Sequence, residues 1–199
     1  MLNIFFVINV FFSVATPSSN LFTCTPIPSF EYRLYNSNWL SGPDELLNSD
    51  ENINVAFDFD DTLVTKVVEN KFFIYRPKKY VMSILISHLN RHDNVFIITG
   101  RKKTDQDIVK RIIINNLGEK RHAKMTYFFT GDDNRTKAFF LQKNNIDVFY
   151  GDSDSDMLYA IKAKVTPVRI LKSISTLDKS IMNVGMYGEY VLPCSQLTE

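Results

Sequence analysis

Between residues 53 and 171, short apolar runs alternate in strict turn with segments whose apolar residues recur at helical spacing, and nothing else limits the fold so sharply. Residues 53–57, 95–98, 126–129, 147–150 and 167–171 read as strands; residues 79–89, 104–117, 136–143 and 155–162 read as the helices between them. Strands joined through helices lie parallel, so the pattern predicts an α/β fold, a three-layer sandwich with a mostly parallel sheet and helices on both faces. Ligands of such sheets sit beyond the carboxyl ends of the strands.

The polar residues fall at that end. Asp58 and Asp60 follow the first run, Thr99, Gly100 and Arg101 the second, and Gly151-Asp152-Ser153-Asp154-Ser155-Asp156 the fourth, while Lys137 opens the helix after the third. In extended geometry Asp58 and Asp60 share a face. Two like charges held so close raise each other's pKa and call for a shared proton or a bound cation. One carboxylate can attack phosphorus while a neighbour manages the proton of the leaving oxygen. The Thr99 hydroxyl and the Gly100 backbone can hold phosphoryl oxygens, and Lys137 can neutralise both a phosphate and a nucleophilic carboxylate. Taken singly, each piece has an ordinary alternative: a turn, a solvated lysine, or an acidic helix N-terminus favoured by the macrodipole. Their convergence on one edge of one sheet is what chance does not supply.

Asp58-Phe59-Asp60-Asp61-Thr62, Thr99, Lys137 and the acidic run at 152–156 together resemble the four motifs of the haloacid dehalogenase superfamily. Ile98-Thr99-Gly100-Arg101, Thr136-Lys137, Tyr150-Gly151-Asp152-Ser153-Asp154, Val168-Arg169-Ile170-Leu171 and Gly188-Glu189 resemble the class B acid phosphatases of that superfamily in wording and spacing. The resemblance covers residues 55–191 and implies a Rossmannoid phosphatase domain over 53–199. It implies that Asp58 is the nucleophile and Asp60 the general acid and then base. Thr99, Gly100, Arg101 and Lys137 would bind phosphate. Mg²⁺ would be held by the Asp58 carboxylate, the Asp60 backbone carbonyl and Asp152, with Asp156 reaching it through water. An all-oxygen, partly hydrated site suits Mg²⁺, and His88, His92 and His122 follow no ligand spacing, reading as surface or helix residues. The implied activity is hydrolysis of small organic phosphomonoesters, nucleotides included, by a homo-oligomer, a dimer or tetramer.

The chain departs from that family where substrate would be chosen. The segment from Thr62 to Thr99 is short, which implies a reduced cap insertion and leaves Phe72, Phe73 and Tyr75 as the aromatic residues available to an organic group, with packing in the core as the alternative role of Phe72 and Phe73. A tyrosine that the family carries after a Ser-Thr pair stands here as Leu177.

With 199 residues and a formal net charge of +1, the chain suits one well-buried domain and gives no sign of a nucleic-acid partner. Residues 1–15 are nearly all apolar, too short for a stable membrane span, and read as a signal peptide cleaved after Ala15; residues 16–52 read as an arm or linker, of which Trp39, Leu40, Leu46 and Leu47 mark a docking part. That predicts a periplasmic or secreted protein, with a lipid anchor at Cys24 as the lower-ranked reading. Cys24 and Cys194 are the only cysteines, and a disulfide between them and two free thiols are both open. Two other function classes compete: a phosphoacceptor signalling domain, and a fold of this kind kept as a non-catalytic binding module.

Overall fold

The structure, a computed structural model, describes residues 32–35, 38–40, 51–131, 133, 135–192 and 195. The readings made at residues 1–15, at Leu46 and Leu47 and at both cysteines lie outside them. The chain runs through β1 (Tyr32–Leu34), β2 (Asn38–Trp39), β3 (Asn54–Phe57), β4 (Val64–Glu69), β5 (Phe72–Pro77), α1 (Lys79–Asn90) and β6 (Asn94–Thr99). It continues through α2 (Gln106–Leu117), α3 (Glu119–His122), β7 (Met125–Phe129), α4 (Arg135–Lys143) and β8 (Val148–Gly151), then α5 (Asp154–Lys162), β9 (Thr166–Ile170), β10 (Met182–Val184) and β11 (Tyr190–Leu192).

Seven strands form one sheet in the order β2-β11-β9-β8-β3-β6-β7, and every neighbouring pair is parallel. The five strands predicted from the apolar runs are β3, β6, β7, β8 and β9, each displaced by no more than one residue at either end. Alternation along them divides the core. Val55 and Phe57 of β3 and Val95 and Ile97 of β6 pack with Leu85 of α1 and Val109 and Ile113 of α2. Ala56, Ile98 and Phe149 point the other way, onto Leu141 of α4 and Ala160 of α5. Two helices therefore cover each face, as a parallel sheet with apolar residues on both sides requires. Helix α2 buries Val109, Ile113 and Leu117, one per turn, and stops at Gly118, whose φ of 82° suits a residue without a side chain.

Three parts of the fold go beyond the sequence reading. Within the arm, β1 pairs with β10 in a separate two-stranded sheet, β2 pairs with β11 at the edge of the seven-stranded one, and Leu40 is buried, so the described part of 16–52 is stitched into the domain. The short segment between Thr62 and Thr99 holds α1 and an antiparallel hairpin, β4–β5, closed by Asn70 and Lys71, both at positive φ (49° and 69°), as a two-residue hairpin turn demands. His88 lies on α1 but faces the core, where its ring nitrogens meet Asp93 at 2.7 Å and the Tyr150 hydroxyl at 3.0 Å.

Strand order positions the site. From β3 the chain moves out to β6 and β7, then returns to lay β8 on the other flank of β3. The carboxyl ends of β3 and β8 thus lie side by side where the order reverses, the place at which open α/β sheets hold ligands.

The division of the core is measurable. Replacing fully buried Leu85 with alanine is expected to remove about 2–5 kcal/mol of unfolding free energy. Replacing Ile108, on the exposed side of α2, should change it by less than about 0.5 kcal/mol. Urea titration followed by circular dichroism checks both.

Candidate active site

Beyond the tips of β3 and β8 lies a cleft of about 260 Å³ lined by Asp58, Asp60, Asp61, Gly100, Arg101, Lys137, Asp152, Ser153, Ser155, Asp156 and Asp178. Asp58 is the first residue past β3, fixed by its N–H donating to the Tyr150 carbonyl at 2.8 Å. The chain then turns back on itself: the N–H groups of Leu63 and Val64 both donate to the Phe59 carbonyl, with Asp61 at a φ of 52°, a conformation aspartate tolerates. Asp152 follows β8, and the Thr62 hydroxyl donates to its Oδ1 at 3.3 Å. Helix α5 starts in a capping box: the Asp156 N–H donates to Ser153 Oγ, while the N–H and hydroxyl of Ser153 donate to Asp156 Oδ2. Gly151 is obligatory here, because a Cβ on it would sit 2.6 Å from Asp156 Cβ.

Carboxylate oxygens of Asp58, Asp152 and Asp156 all lie within 4.8 Å of one another. Lys137, near the start of α4, places its buried ammonium 2.8 Å from Asp58 Oδ1 and 2.6 Å from Asp156 Oδ1. One ammonium between two carboxylates leaves an excess negative charge, and the titration of the group divides accordingly. Burial opposes the charge on Lys137, but Asp156 and Asp58 outweigh it and raise its pKa. Burial likewise opposes ionisation of Asp156, yet Lys137 and the Ser153 bonds hold its pKa below the usual carboxylate value. Asp58 carries the remainder: burial, with Asp156 and Asp60 adding and Lys137 opposing, pushes it up to about 7. Asp152 is pushed well above the ordinary value by burial first and by Asp156 and Asp58 next, with Lys172 opposing.

Every residue that the sequence assigned to catalysis or metal lines this cleft. Of the phosphate group, Gly100, Arg101 and Lys137 line it. Thr99 is buried, its Oγ1 accepting from the Arg101 N–H at 3.2 Å. Arg101 grips Asp60 through two bonds of 2.7 Å, with its guanidinium over the rings of Phe59 (5.1 Å) and Tyr75 (4.8 Å). Tyr75 therefore meets the site through Arg101. Phe72 and Phe73 are not part of the lining; they stand on the hairpin, 73% and 64% exposed, so packing in the core is not their role. None of the three histidines lines the cleft.

Sequence reasoning missed a second layer. Asp61, Asp152 and Asp178 bring carboxylate oxygens within 4.8 Å of one another, and Lys172 reaches Asp178 at 2.5 Å and Asp152 at 3.8 Å. The Thr176 hydroxyl donates to Asp61 at 2.6 Å, and buried Lys78 donates to the Leu171 carbonyl at 2.5 Å. Lys172 stands two residues past the end of β9, so the carboxyl-end rule could have found it. Lys78 precedes α1 and Asp178 lies in a long loop, where no pattern marks them.

No family model matches the chain. Its sequence is 30% identical over 122 residues to the class B acid phosphatase of Salmonella typhimurium, covering 60% of this chain and 52% of that protein. It is 28% identical over 118 residues to the class B acid phosphatase of Xenorhabdus bovienii, covering 58% and 50%. The chain is similar to class B acid phosphatases. It spans about half the length of these curated relatives. Among solved structures, the cobalt-bound deoxy-D-mannose-octulosonate 8-phosphate phosphatase of Haemophilus influenzae matches with a TM-score of 0.40 at 16% identity, over 70% of this chain and 84% of that one. A hypothetical protein from Xanthomonas campestris matches with the same score and identity, over 64% and 71%. No described helix is long and apolar enough to cross a membrane.

Two outcomes are expected of this geometry. Gly151→Ala should lower stability by about 1–3 kcal/mol, read in urea titration, because Asp156 must move. The folded state holds a proton on Asp58 more tightly than the unfolded chain does, so its contribution is fully present below about pH 4 and is lost as pH rises through about 7. Asp58→Asn removes that loss. Without metal, the variant should gain stability over the parent between about pH 5 and 8, measured by thermal unfolding.

Proposed function

We propose that the chain is a phosphomonoesterase that uses a divalent cation, Mg²⁺ by its donor set, and hydrolyses small organic phosphates through an aspartyl-phosphate on Asp58. The single observation behind this reading is the close approach of Asp58, Asp152 and Asp156 with Lys137 bridging two of them. Similarity to class B acid phosphatases supports the reaction class.

The cleft fits a hard cation. Its ionisable lining is six carboxylates against Arg101 and Lys137, all donors are oxygen, and a phosphate ester entering it adds more negative charge. Asp156 has both oxygens engaged, one by Lys137 and one by Ser153, which leaves Asp58 and Asp152 as direct ligands and suits Asp156 to a contact through water. The Asp60 backbone carbonyl would complete the protein's set. When bound, the cation offsets charge on the phosphoryl oxygens and aligns the ester with Asp58.

The residues then divide the work. An Asp58 oxygen attacks phosphorus as the ester P–O bond breaks, and Asp60, which takes a proton from solvent once Arg101 releases it, gives that proton to the leaving oxygen. Water next attacks the phosphorus, Asp60 takes the proton, and the bond to Asp58 breaks to release phosphate. Lys137 neutralises Asp58 and the transferring group, and the Thr99 hydroxyl and Gly100 backbone sit at the same strand end. Arg101, held on Asp60 without substrate, exchanges that carboxylate for phosphate, which frees Asp60 for proton transfer. The cleft is smaller than the roughly 300–1,000 Å³ of pockets for drug-sized ligands, so it takes the phosphoryl end while the organic group, a nucleoside among others, lies outside it toward the β4–β5 hairpin. Export to the periplasm or medium belongs to the same reading, supported by the apolar residues 1–15.

Hydrolysis of p-nitrophenyl phosphate with Mg²⁺ and with EDTA tests the reading: turnover that EDTA abolishes and Mg²⁺ restores is expected. A signalling domain would take up phosphate without turning over, and a binding module would do neither. Asp58→Asn should abolish turnover. Asp60→Asn should lower the rate about 10²- to 10⁴-fold on alkyl phosphates and much less on aryl phosphates, whose leaving oxygen scarcely needs a proton; equal losses on both would contradict its role.

A further inference from the structure

Arg169 is among the largest fully buried side chains of the protein, and the reaction leaves it unused. It lies on β9, paired in register with Gly151, directly beside the acidic loop. Its Nη1 donates to the Asp152 backbone carbonyl at 2.8 Å. Its Nε and Nη2 donate to Glu189 at 3.1 and 2.9 Å, and Nη2 lies 3.0 Å from Asp154. Both carboxylates are anchored in turn: Glu189 accepts from the N–H groups of Gly185 and Tyr187, and Asp154 from the N–H and side-chain amide of Asn183.

Burying a guanidinium and a glutamate together is a weak way to stabilise a fold, because desolvation offsets much of their attraction. The fork geometry, however, fixes direction, and here its third contact is the main chain of a residue whose side chain faces the cleft. The Asp152 carboxylate is otherwise held by one 3.3 Å bond from Thr62 and by Lys172 at 3.8 Å. The backbone of the acidic loop is thus pinned from behind by β9 and by the β10–β11 turn.

We propose that Arg169 is a positioning residue: by clamping the Asp152 carbonyl and Asp154 against Glu189, it sets the direction of the Asp152 carboxylate and with it the affinity of the cleft for a divalent cation. The proposal rests on the metal-dependent reading above. It predicts that loss of the fork weakens metal binding in a protein that remains folded, which a purely structural role would not do.

Mn²⁺ is the probe, its binding followed by the electron paramagnetic resonance of the free ion, with folding followed by circular dichroism. Arg169→Lys keeps the charge but cannot hold three partners in one plane, and it should raise the Mn²⁺ Kd about 10- to 100-fold. Leu85→Ala, which weakens the core but does not line the cleft, should leave the Kd within about twofold. If Arg169→Lys does not fold, Glu189→Gln carries the test: it keeps the shape, removes the anion and lets the guanidinium drift toward Asp154, so a several-fold rise in Kd is expected. A folded Arg169→Lys, or in its place Glu189→Gln, that binds Mn²⁺ as the parent does overturns the proposal and leaves the metal reading intact. Failure of the parent to bind Mn²⁺ at all overturns the metal reading and this proposal with it.

Discussion

Three buried carboxylates, two at the tips of adjacent strands and one in the first turn of α5, repel one another, and the Lys137 ammonium is the group that offsets most of that repulsion. Even at 4.8 Å, the upper limit of their separations, two unit charges in a medium of effective dielectric about 20 repel by about 3–4 kcal/mol. Lys137 offsets this for Asp58 and Asp156, which it touches, and does not touch Asp152. The upward pressure on Asp58 and Asp152 is the remaining imbalance expressed as proton affinity. A divalent cation and a proton are the two ways to relieve it, and under the proposed function the first would also prepare the cleft for an anionic ester.

The fold exists to make that crowding tolerable. Parallel pairing of β3 with β8 brings two chain segments, 90 residues or so apart in sequence, to neighbouring positions on one edge, and the dense apolar core on both faces holds the strand ends there. Around this centre the protein adds rigid supports: the capping box that orients Asp156, the absent side chain at Gly151, and the Arg169 fork behind Asp152. The Lys172, Asp178 and Asp61 layer, with Lys78 behind it, gives Asp152 its second neighbourhood of charge.

How much of this was legible in the sequence follows from whether a feature is local. The runs around Val55, Val95 and Phe149 are buried on both faces, so they are continuously apolar, and the helices between them bury residues once per turn; both patterns survive in one dimension. The three-residue strands β10 and β11 and the pair Asn38–Trp39 exist through pairing with distant partners, and nothing in their own composition marks them. The β4–β5 hairpin was readable from its β-branched and aromatic residues around Asn70, a turn signal that proximity to the motifs obscured. Within the site, motif residues were legible because they sit at strand ends. Asp61, Asp178 and Lys78 were not, since a left-handed turn, a loop and a helix start bring them in. The grip of Arg101 on Asp60 likewise depends on a side-chain choice that spacing does not specify.

The central claim is that the negative charge at the tips of β3 and β8 is balanced by a divalent cation between them. A crystal of the protein soaked in Mn²⁺ and recorded near the manganese absorption edge addresses it directly. The account predicts one strong anomalous peak within about 2.5 Å of carboxylate oxygens of both Asp58 and Asp152. A peak confined to Asp61 and Asp178, or none in a cleft whose side chains are ordered, would contradict it.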